Sequence, residues 1–355
     1  MSKSDRLTLV AGGAGFIGSH LCRSLLERGE RVVCVDNLQT ARPSNLAMLK
    51  AYDNFEFIQA DITAPWPTSL LSRARKFHRI YNLACAASPP AYQADPEHTM
   101  LTSVVGTSQL LRLAEASGAR FLLTSTSEVY GDPEAHPQRE DYRGNVSCTG
   151  PRACYDEGKR AAEALSFDFA RSGRAEVRVA RIFNTYGPNM DPCDGRVVSN
   201  VICQALSGNP ITIYGDGSQT RSFCYVTDTA EALRRLMEAE EVGMEPVNIG
   251  NPRELTVREL VDLVIDMLGR PAEVRNAPLP VDDPRRRKPN IDRAKALLGW
   301  EPTTKLEDGI QATMEWFAKE LGDDVLVTAS VETLERHRRP RAAAKSGAMR
   351  EVAAG

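Results

Sequence analysis

The chain has 355 residues, of which 42% are hydrophobic, and its formal net charge at pH 7 is -3. This length and composition predict one large domain or two coupled domains with a substantial core, and they exclude a mainly disordered chain. Basic residues are interspersed with acidic ones, so we expect no broad basic face for nucleic acid. The N-terminal residues contain no signal-peptide core and no apolar run approaches membrane-spanning length, which predicts a soluble cytoplasmic protein without a membrane partner.

Cysteine and histidine are spaced in a way that predicts no metal site. The eight cysteines contain no Cys-x-x-Cys pair, and the five histidines show no spacing typical of metal ligands. We expect the cysteines to be reduced thiols, since a chain of this size needs no disulfides to fold.

The first predicted elements are a strand at residues 7–10, a glycine-rich turn and an amphipathic helix. Three glycines in this segment allow a tight turn and a close approach of the backbone to a pyrophosphate at the helix N-terminus: Gly12, Gly15 and Gly18. The second strand, residues 31–35, leads into Asp36. A carboxylate here can accept hydrogen bonds from the adenosine ribose and would repel a 2'-phosphate, so the pattern predicts NAD rather than NADP.

Further strands at residues 55–58, 80–84 and 121–124 alternate with helical or loop stretches. This order predicts an α/β fold with a Rossmann-type, doubly wound parallel sheet. Asp61, Ile62 and Ala84 are predicted at its carboxyl edge, where a dinucleotide binds. Asp61 has an equally favoured alternative role as a helix or turn cap.

Residues 125–131 follow the fifth strand and place Thr126 and Glu128 at the same edge. On the next helix, Tyr155 and Lys159 are four residues apart and therefore share one face. A lysine ammonium favours the ionised phenol, so the pair can make a general base. An incidental surface pair is the alternative for an isolated Tyr-x-x-x-Lys pattern; the neighbouring motifs favour the base.

From residue 184 the regular alternation loosens, which predicts a smaller α/β lobe. It contains a predicted helix at 197–206, a strand at 211–214, and a capping box formed by Thr256 and Glu259. The predicted divisions are a Rossmann domain at 1–183 with returns near 223–250, a substrate-binding lobe mainly at 184–322, and a disordered tail at 325–355.

Several long motifs are similar to those of a known group of enzymes. They occupy residues 125–133, 150–160, 181–188, 194–200 and 215–223. Over about residues 6–320 the chain resembles the extended short-chain dehydrogenase/reductase superfamily, and within it the UDP-glucuronate decarboxylase family. The resemblance implies a tightly bound NAD, a UDP-sugar substrate and a homodimer. The predicted NAD-binding residues are Gly12, Gly15, Phe16, Ile17, Gly18, Asp36, Asn37, Asp61, Ile62, Ala84, Tyr155 and Lys159.

The resemblance also implies a mechanism. Tyr155, assisted by Lys159 and Thr126, would take the proton of the sugar 4-hydroxyl while hydride passes from C4 to NAD. The resulting β-keto acid loses carbon dioxide, C5 is reprotonated, and the hydride returns to give UDP-xylose. Catalytic roles near the carboxylate are implied for Ser127, Glu128 and Arg287. Implied substrate-binding residues are Asn184, Arg196, Tyr214, Gln219, Arg221 and Arg287.

Three alternatives remain at this point. A nucleotide-sugar 4,6-dehydratase is disfavoured by Ser127, where dehydratases carry Asp, and a 4-epimerase is disfavoured by Glu128. A non-catalytic NAD-binding scaffold is disfavoured because both Tyr155 and Lys159 are present. The chain also departs from the family pattern at five positions: Ala86, Leu101, Ser103, Asn189 and Asn290. These departures leave a modified UDP-uronic acid open as substrate.

Overall fold

A computed structural model describes residues 6–279 and 286–322. The predicted tail at 325–355 lies outside these ranges, and so do Asp282 and Asp283, which precede Arg287 in the family motif. The strands are β1 Leu7–Ala11, β2 Arg31–Asp36, β3 Phe55–Gln59, β4 Phe77–Asn82, β5 Arg120–Thr126, β6 Val177–Ile182, β7 Thr185–Tyr186, β8 Ile211–Tyr214, β9 Thr220–Ser222, β10 Cys224–Tyr225, β11 Val247–Ile249, β12 Glu254–Thr256, β13 Val274–Ala277 and β14 Arg286–Arg287.

Helices connect these strands in an alternating order. They are α1 Phe16–Glu27, α2 Pro43–Leu49, α3 Thr68–Leu71, α4 Pro89–Ala94, α5 Pro96–Leu101, α6 Thr107–Ser117, α7 Ala153–Arg171, α8 Val197–Leu206, α9 Val226–Glu238, α10 Val257–Leu268, α11 Asp292–Leu298 and α12 Leu306–Leu321. A π-helical turn, Thr102–Gly106, joins α5 to α6, and a 3-10 turn, Ser127–Tyr130, follows β5.

Seven parallel strands form the central sheet in the order β11-β6-β5-β4-β1-β2-β3. The chain runs outward from β1 in one direction through β2 and β3 and in the other through β4, β5 and β6. The predicted doubly wound Rossmann-type sheet is therefore confirmed. Strands such as β1 and β2 are almost continuously apolar because helices cover both faces of the sheet, with one buried apolar cluster on each side.

The fourth strand begins three residues earlier than the predicted 80–84 and ends at Asn82. Polar residues hide its beginning in the sequence, because Arg79 is buried and forms an ion pair with Glu30 at 2.9 Å. Leu83 and Ala84 therefore follow the strand instead of completing it. Ala84 still lies just beyond the carboxyl end of the strand, which is where the sequence predicts it.

A second core, built from α8, α10 and α12, packs around small sheets outside the main one. Of the predicted returns, Val247–Ile249 joins the main sheet beside β6. Residues Cys224–Tyr225 instead pair with Thr185–Tyr186 in a separate two-stranded sheet. The predicted capping box at the start of α10 is present, since Glu259 N donates to Thr256 Oγ1 and Thr256 N donates to Glu259 Oε2.

None of the helices within residues 6–279 and 286–322 is long and apolar enough to cross a membrane.

Candidate active site

The glycine-rich turn between β1 and α1 depends on close backbone contact. Gly12 has φ +75°, and a Cβ at this residue would lie 2.7 Å from Leu83 C and from Ala84 N. A Cβ on Gly18 would lie 2.1 Å from Gly12 O. Only glycine fits these positions without moving main chain, so the turn leaves an open backbone cradle at the N-terminus of α1, suited to an anionic group.

Asp36 ends β2 beside this turn. Its carboxylate accepts hydrogen bonds from Ala14 N at 3.0 Å and from Leu38 N at 2.8 Å. Burial raises the pKa of Asp36, and the two backbone donors oppose that shift. The carboxylate is thus fixed at the strand end, where the sequence predicts contact with a ribose.

Asp61 performs the capping role that was its alternative prediction, because its Oδ1 accepts from Thr63 N at 2.8 Å. Asp61 also contacts another residue predicted to bind NAD, since Asn37 Nδ2 donates to Asp61 Oδ2 at 2.9 Å. His98 Nε2 lies 2.7 Å from the same oxygen. Partial burial opposes ionisation, but the hydrogen bonds outweigh it and lower the pKa of Asp61 to about 2. Ile62 is buried next to this carboxylate.

Tyr155 lies in the first turn of α7 and is buried against a second aromatic ring. Its ring stacks on Tyr92 with centroids 5.1 Å apart and an interplanar angle of 4°. The Tyr155 side chain is hydrogen-bonded to Thr126, as the sequence predicts. Lys159 Nζ lies 6.0 Å from the Tyr155 ring centroid and donates to Thr124 O at 2.9 Å.

The pKa of Tyr155 differs in direction from the expectation for a general base. Burial raises this pKa, and the hydrogen bond to Thr126 offsets only part of the shift. Burial likewise lowers the pKa of Lys159. The reason is that both side chains are buried, so the charged form of each is disfavoured. A further positive charge beside Tyr155 would favour its ionised form.

Glu128 is held by two arginines that lie at very different distances along the chain, 24 and 159 residues away. Arg152 Nη2 lies 2.6 Å from its Oε2, and Arg287 Nη2 lies 2.7 Å from its Oε1. Arg287 Nη1 also donates to Asn184 Oδ1 at 3.1 Å. Burial opposes ionisation of Glu128, but the guanidinium groups outweigh it and lower its pKa. The carboxylate is therefore an anion in a buried, positively charged setting.

Ser127 and Thr126 are positioned by the 3-10 turn after β5. Thr126 caps this turn, since Glu128 N donates to Thr126 Oγ1 at 3.2 Å. Ser127 is buried between Thr126 and Glu128. One turn therefore carries the predicted partner of Tyr155 and the carboxylate that binds Arg287.

Two residues near this site were missed by the sequence analysis as functional candidates. Arg152 is the second partner of Glu128, and Tyr92 stacks on Tyr155. Arg152 lies within the motif at 150–160, three residues before Tyr155, and this position could have identified it as a candidate from the sequence. Tyr92 gives no such signal, because its contact depends on α4 packing against α7.

The predicted substrate-binding residues fall into three groups. Asn184 lies near Glu128 because both bind Arg287. Arg221 is close enough to Glu128 to lower its pKa electrostatically. Arg196 pairs with Asp194, and its guanidinium lies 6.0 Å from the Phe16 ring centroid, near the glycine-rich turn. Tyr214 and Gln219 form a separate pair, in which Gln219 Nε2 donates to Tyr214 O at 2.7 Å.

The departures from the family pattern lie at different depths. Ser103 is buried with its Oγ 3.5 Å from Cys85 Sγ, while Leu101 is exposed on the neighbouring turn. Asn189 adopts φ 68° and donates from Nδ2 to Ser19 Oγ at 3.3 Å. Ala86 is buried with Tyr92 and Tyr155. Asn290 accepts a hydrogen bond from Asp292 N, next to the start of α11.

Cysteine and metal chemistry find little support at this site. Burial raises the pKa of the Cys154 thiol, which disfavours a nucleophilic thiolate beside Tyr155. In residues 6–279 and 286–322, no group of three or more His, Cys, Asp or Glu side chains is arranged to hold a metal ion.

Comparisons with known proteins agree with this geometry. A sequence model of the NAD dependent epimerase/dehydratase family matches residues 8–250. UDP-glucuronic acid decarboxylase 2 of Arabidopsis thaliana is 51% identical over 316 residues, which cover 89% of this chain and 69% of the relative. UDP-glucuronic acid decarboxylase 1 of Danio rerio is 48% identical over 322 residues, covering 90% and 75%.

A solved structure of UDP-glucuronic acid 4-epimerase from Bacillus cereus, in complex with UDP-glucuronic acid and NAD, superimposes with a TM-score of 0.79. It is 27% identical, and the match covers 89% of this chain and 100% of the epimerase. The backbone cradle at Gly12 and the carboxylate of Asp36 fit NAD, and the predicted NAD dependence is confirmed by the family match. The chain belongs to the NAD dependent epimerase/dehydratase family and, within it, to the family of the UDP-glucuronic acid decarboxylases.

Proposed function

We propose that this protein is an NAD-dependent UDP-glucuronate decarboxylase that converts UDP-glucuronate to UDP-xylose and carbon dioxide. The observation that carries the proposal is the ion pair between Glu128 and Arg287, two residues 159 positions apart. Glu128 lies on the turn that is capped by Thr126, the hydrogen-bond partner of Tyr155. A site for oxidation at C4 needs the tyrosine and lysine. The buried carboxylate–guanidinium cluster adds groups suited to a substrate carboxylate and to C5.

NAD, when bound, accepts and returns the C4 hydride, so the overall reaction is redox-neutral. Tyr155 removes and later returns the O4 proton, with Thr126 orienting its hydroxyl and Lys159 supplying positive charge. Arg287 orients the substrate carboxylate through its planar guanidinium. Carbon dioxide leaves because the adjacent C4 carbonyl accepts the electrons of the breaking bond. Ser127 and Glu128 line the reacting carboxylate and C5.

For NAD binding, the proposal assigns the glycine-rich turn to the pyrophosphate and Asp36 to the ribose. Asn37, Asp61, Ile62 and Ala84 complete the nucleotide-facing edge of residues 1–183. The further NAD contacts are proposed at Gly12, Gly15, Phe16, Ile17, Gly18, Tyr155 and Lys159.

For substrate binding, the proposal places the UDP moiety in the lobe formed mainly by residues 184–322. Arg196 and Arg221 provide charge for the pyrophosphate, and Asn184 acts from beside Arg287. Tyr214 and Gln219, which contact each other, provide an exposed platform for the nucleoside.

Product identification by NMR after incubating purified protein with UDP-glucuronate tests the proposal. UDP-xylose and carbon dioxide are expected without consumption of added NAD. A product that keeps the carboxylate, such as UDP-galacturonate, would show that the protein is a 4-epimerase and would overturn the decarboxylase proposal. Unchanged substrate with bound NAD would favour a non-catalytic scaffold.

The protein is also proposed to form a homodimer and to act in the cytoplasm. Support for the dimer comes from two exposed hydrophobic side chains, Leu101 and Val105, on adjacent turns that pack against α7. The cytoplasmic location rests on the sequence prediction and is tested by cell fractionation.

A further inference from the structure

A cavity of about 240 Å³ lies against Glu128. Its wall combines the first turn of α7 with the loops that follow β5, and its lining residues include Glu128, Asp132, Asn145, Ser147, Arg152 and Asp156. Glu128 therefore borders this cavity as well as binding Arg287. The cavity gives the buried carboxylate cluster a neighbouring polar space, separate from the stacked ring of Tyr155.

Asp156 is a buried carboxyl that the mechanism above leaves without a role. Asp156 is only 7% exposed, and its Oδ1 has no hydrogen-bond partner among the described residues. An acceptor-only carboxylate in this position would be costly, whereas a protonated carboxyl is tolerated. The ionisable and charged groups that surround it are Glu128, Asp132, Glu157, Arg152, Arg287, Tyr92 and Tyr155.

The pKa values of two carboxyl groups at this cavity are shifted in opposite directions. Burial and the negative charge of Glu128 raise the pKa of Asp156 to about 7, despite the opposing effect of Arg152 and Arg287. The same guanidinium groups lower the pKa of Glu128. Neighbouring carboxyls with separated pKa values are a common arrangement for acid and base roles in one site.

The proposed reaction needs one proton from solvent in each turnover. Loss of carbon dioxide from a carboxylate replaces the C5–carboxyl bond with a C5–H bond, so R–COO⁻ and H⁺ give R–H and CO₂. Tyr155 returns to O4 the proton that it removed, and the hydride returns to C4. Neither can supply C5, which must receive its proton from another source.

We propose that Asp156 holds this proton and that the cavity is the path by which solvent reloads it. The Asp156 O–H bond breaks as its proton passes to Glu128 through water in the cavity that both side chains line; Glu128 then transfers it to C5, whose electron pair forms the new C–H bond. Asp156 regains a proton from solvent through the cavity. Because its partner arginines favour the anion, protonated Glu128 is a ready donor. Asp156 does not touch the substrate in this scheme; it supplies the proton to Glu128 and is therefore a positioning residue. This role rests on the proposed decarboxylase function.

The pH dependence of carbon dioxide release tests the role. The protonated fraction of Asp156 falls as pH rises through about 7, so wild-type kcat should fall over this range. In Asp156→Asn the side chain keeps its size and loses the carboxyl group that can take up and release a proton. We expect this pH-dependent fall to disappear and kcat at pH 6 to drop about 100-fold, with KM unchanged. Substrate should still reduce bound NAD, because Tyr155 and Lys159 are retained.

Two further variants separate a proton role from a structural one. Asp156→Glu restores a carboxyl and should recover the pH-dependent fall and most of kcat. Asp168→Asn removes an exposed carboxylate at the far end of the same helix and should behave as wild type.

The outcomes distinguish the proton path from the proposed function. An Asp156→Asn protein that decarboxylates with a wild-type pH profile overturns the proton path and leaves the decarboxylase function intact. A variant that loses NAD reduction as fully as carbon dioxide release also overturns it, because the residue would then be structural. Wild-type protein that releases no carbon dioxide overturns both proposals.

Discussion

Tyr155 is a phenol whose environment works against the role proposed for it. Burial raises its pKa, and Lys159 Nζ donates to Thr124 O while lying 6.0 Å from the ring centroid. Without a further positive charge beside it, this environment favours the protonated phenol. An oxidised nicotinamide carries such a charge, which couples base strength to cofactor binding.

Replacing Tyr155 with Phe should lower kcat about 1,000-fold while NAD stays bound, because the O4 proton then has no acceptor. Carbon dioxide release and the absorbance of reduced nicotinamide measure the loss, and NAD extracted from denatured protein measures retention. Tyr52→Phe, which removes a surface hydroxyl bonded to Glu27, is the matched control. Activity equal to wild type in Tyr155→Phe would contradict the base assignment.

Arg287→Ala should reduce carbon dioxide release about 100-fold, because it removes the guanidinium proposed to orient the substrate carboxylate. Oxidation at C4 should persist, so reduced nicotinamide is expected to accumulate on the protein. The control is Arg286→Ala, which removes an exposed side chain from the preceding position in the same strand. Equal losses in both variants would show that strand β14, and not the Arg287 side chain, carries the effect.

At the scale of elements, the strand–turn–helix unit of β1 and α1 brings the backbone of two loops into contact. Gly12 meets Leu83 and Ala84 because β1 and β4 are neighbours in the sheet, with Ala11 opposite Asn82. The turn is therefore shaped by a strand about 70 residues away, and its glycine serves packing between loops as much as local bending.

Gly12→Ala should abolish NAD retention, since the new Cβ would push the turn away from residues 83–84. Gly29→Ala, at the other end of α1, is the control: it also has positive φ, at +81°, but its Cβ would meet no atom within 4 Å. Gly29→Ala should lower the free energy of unfolding by about 1 kcal/mol, because alanine disfavours a positive φ. Gly12→Ala adds the clash with main chain and should lower the free energy of unfolding further, measured in urea. If both variants retain NAD equally, the turn does not bind the cofactor as proposed.

At the scale of the whole molecule, the central sheet and the second core meet at the Glu128 cluster. Thr126 and Glu128 come from the end of β5, Arg152 from the start of α7, and Arg287 from β14. No single element contains all the groups proposed to act at the sugar carboxylate.

The proposed homodimer makes a prediction at this same scale. Val105→Glu places a charge on the exposed face next to α7 and should shift the protein from dimer to monomer in analytical ultracentrifugation. Leu71→Glu is the control, because Leu71 is 55% exposed on α3 and lies on another element. A wild-type monomer, or dissociation by Leu71→Glu alone, would contradict this interface.

The sequence by itself determined the features that depend on local spacing. The glycine turn, Asp36 at the end of a strand, the capping box of Thr256 and the four-residue interval from Tyr155 to Lys159 are all visible in short windows. Each follows from the period of a helix or strand or from the needs of one turn. The family motifs extended these local signals to Arg287.

Only the tertiary structure decided which distant groups share one environment. It joined Arg152 and Arg287 to Glu128, stacked Tyr92 on Tyr155, moved the start of β4 to Phe77, and left Asp156 buried beside a cavity. These outcomes depend on packing between elements and on the loss of water around charged groups. Neither is encoded by spacing along the chain, because proximity and desolvation arise only when the sheet and helices close around the site.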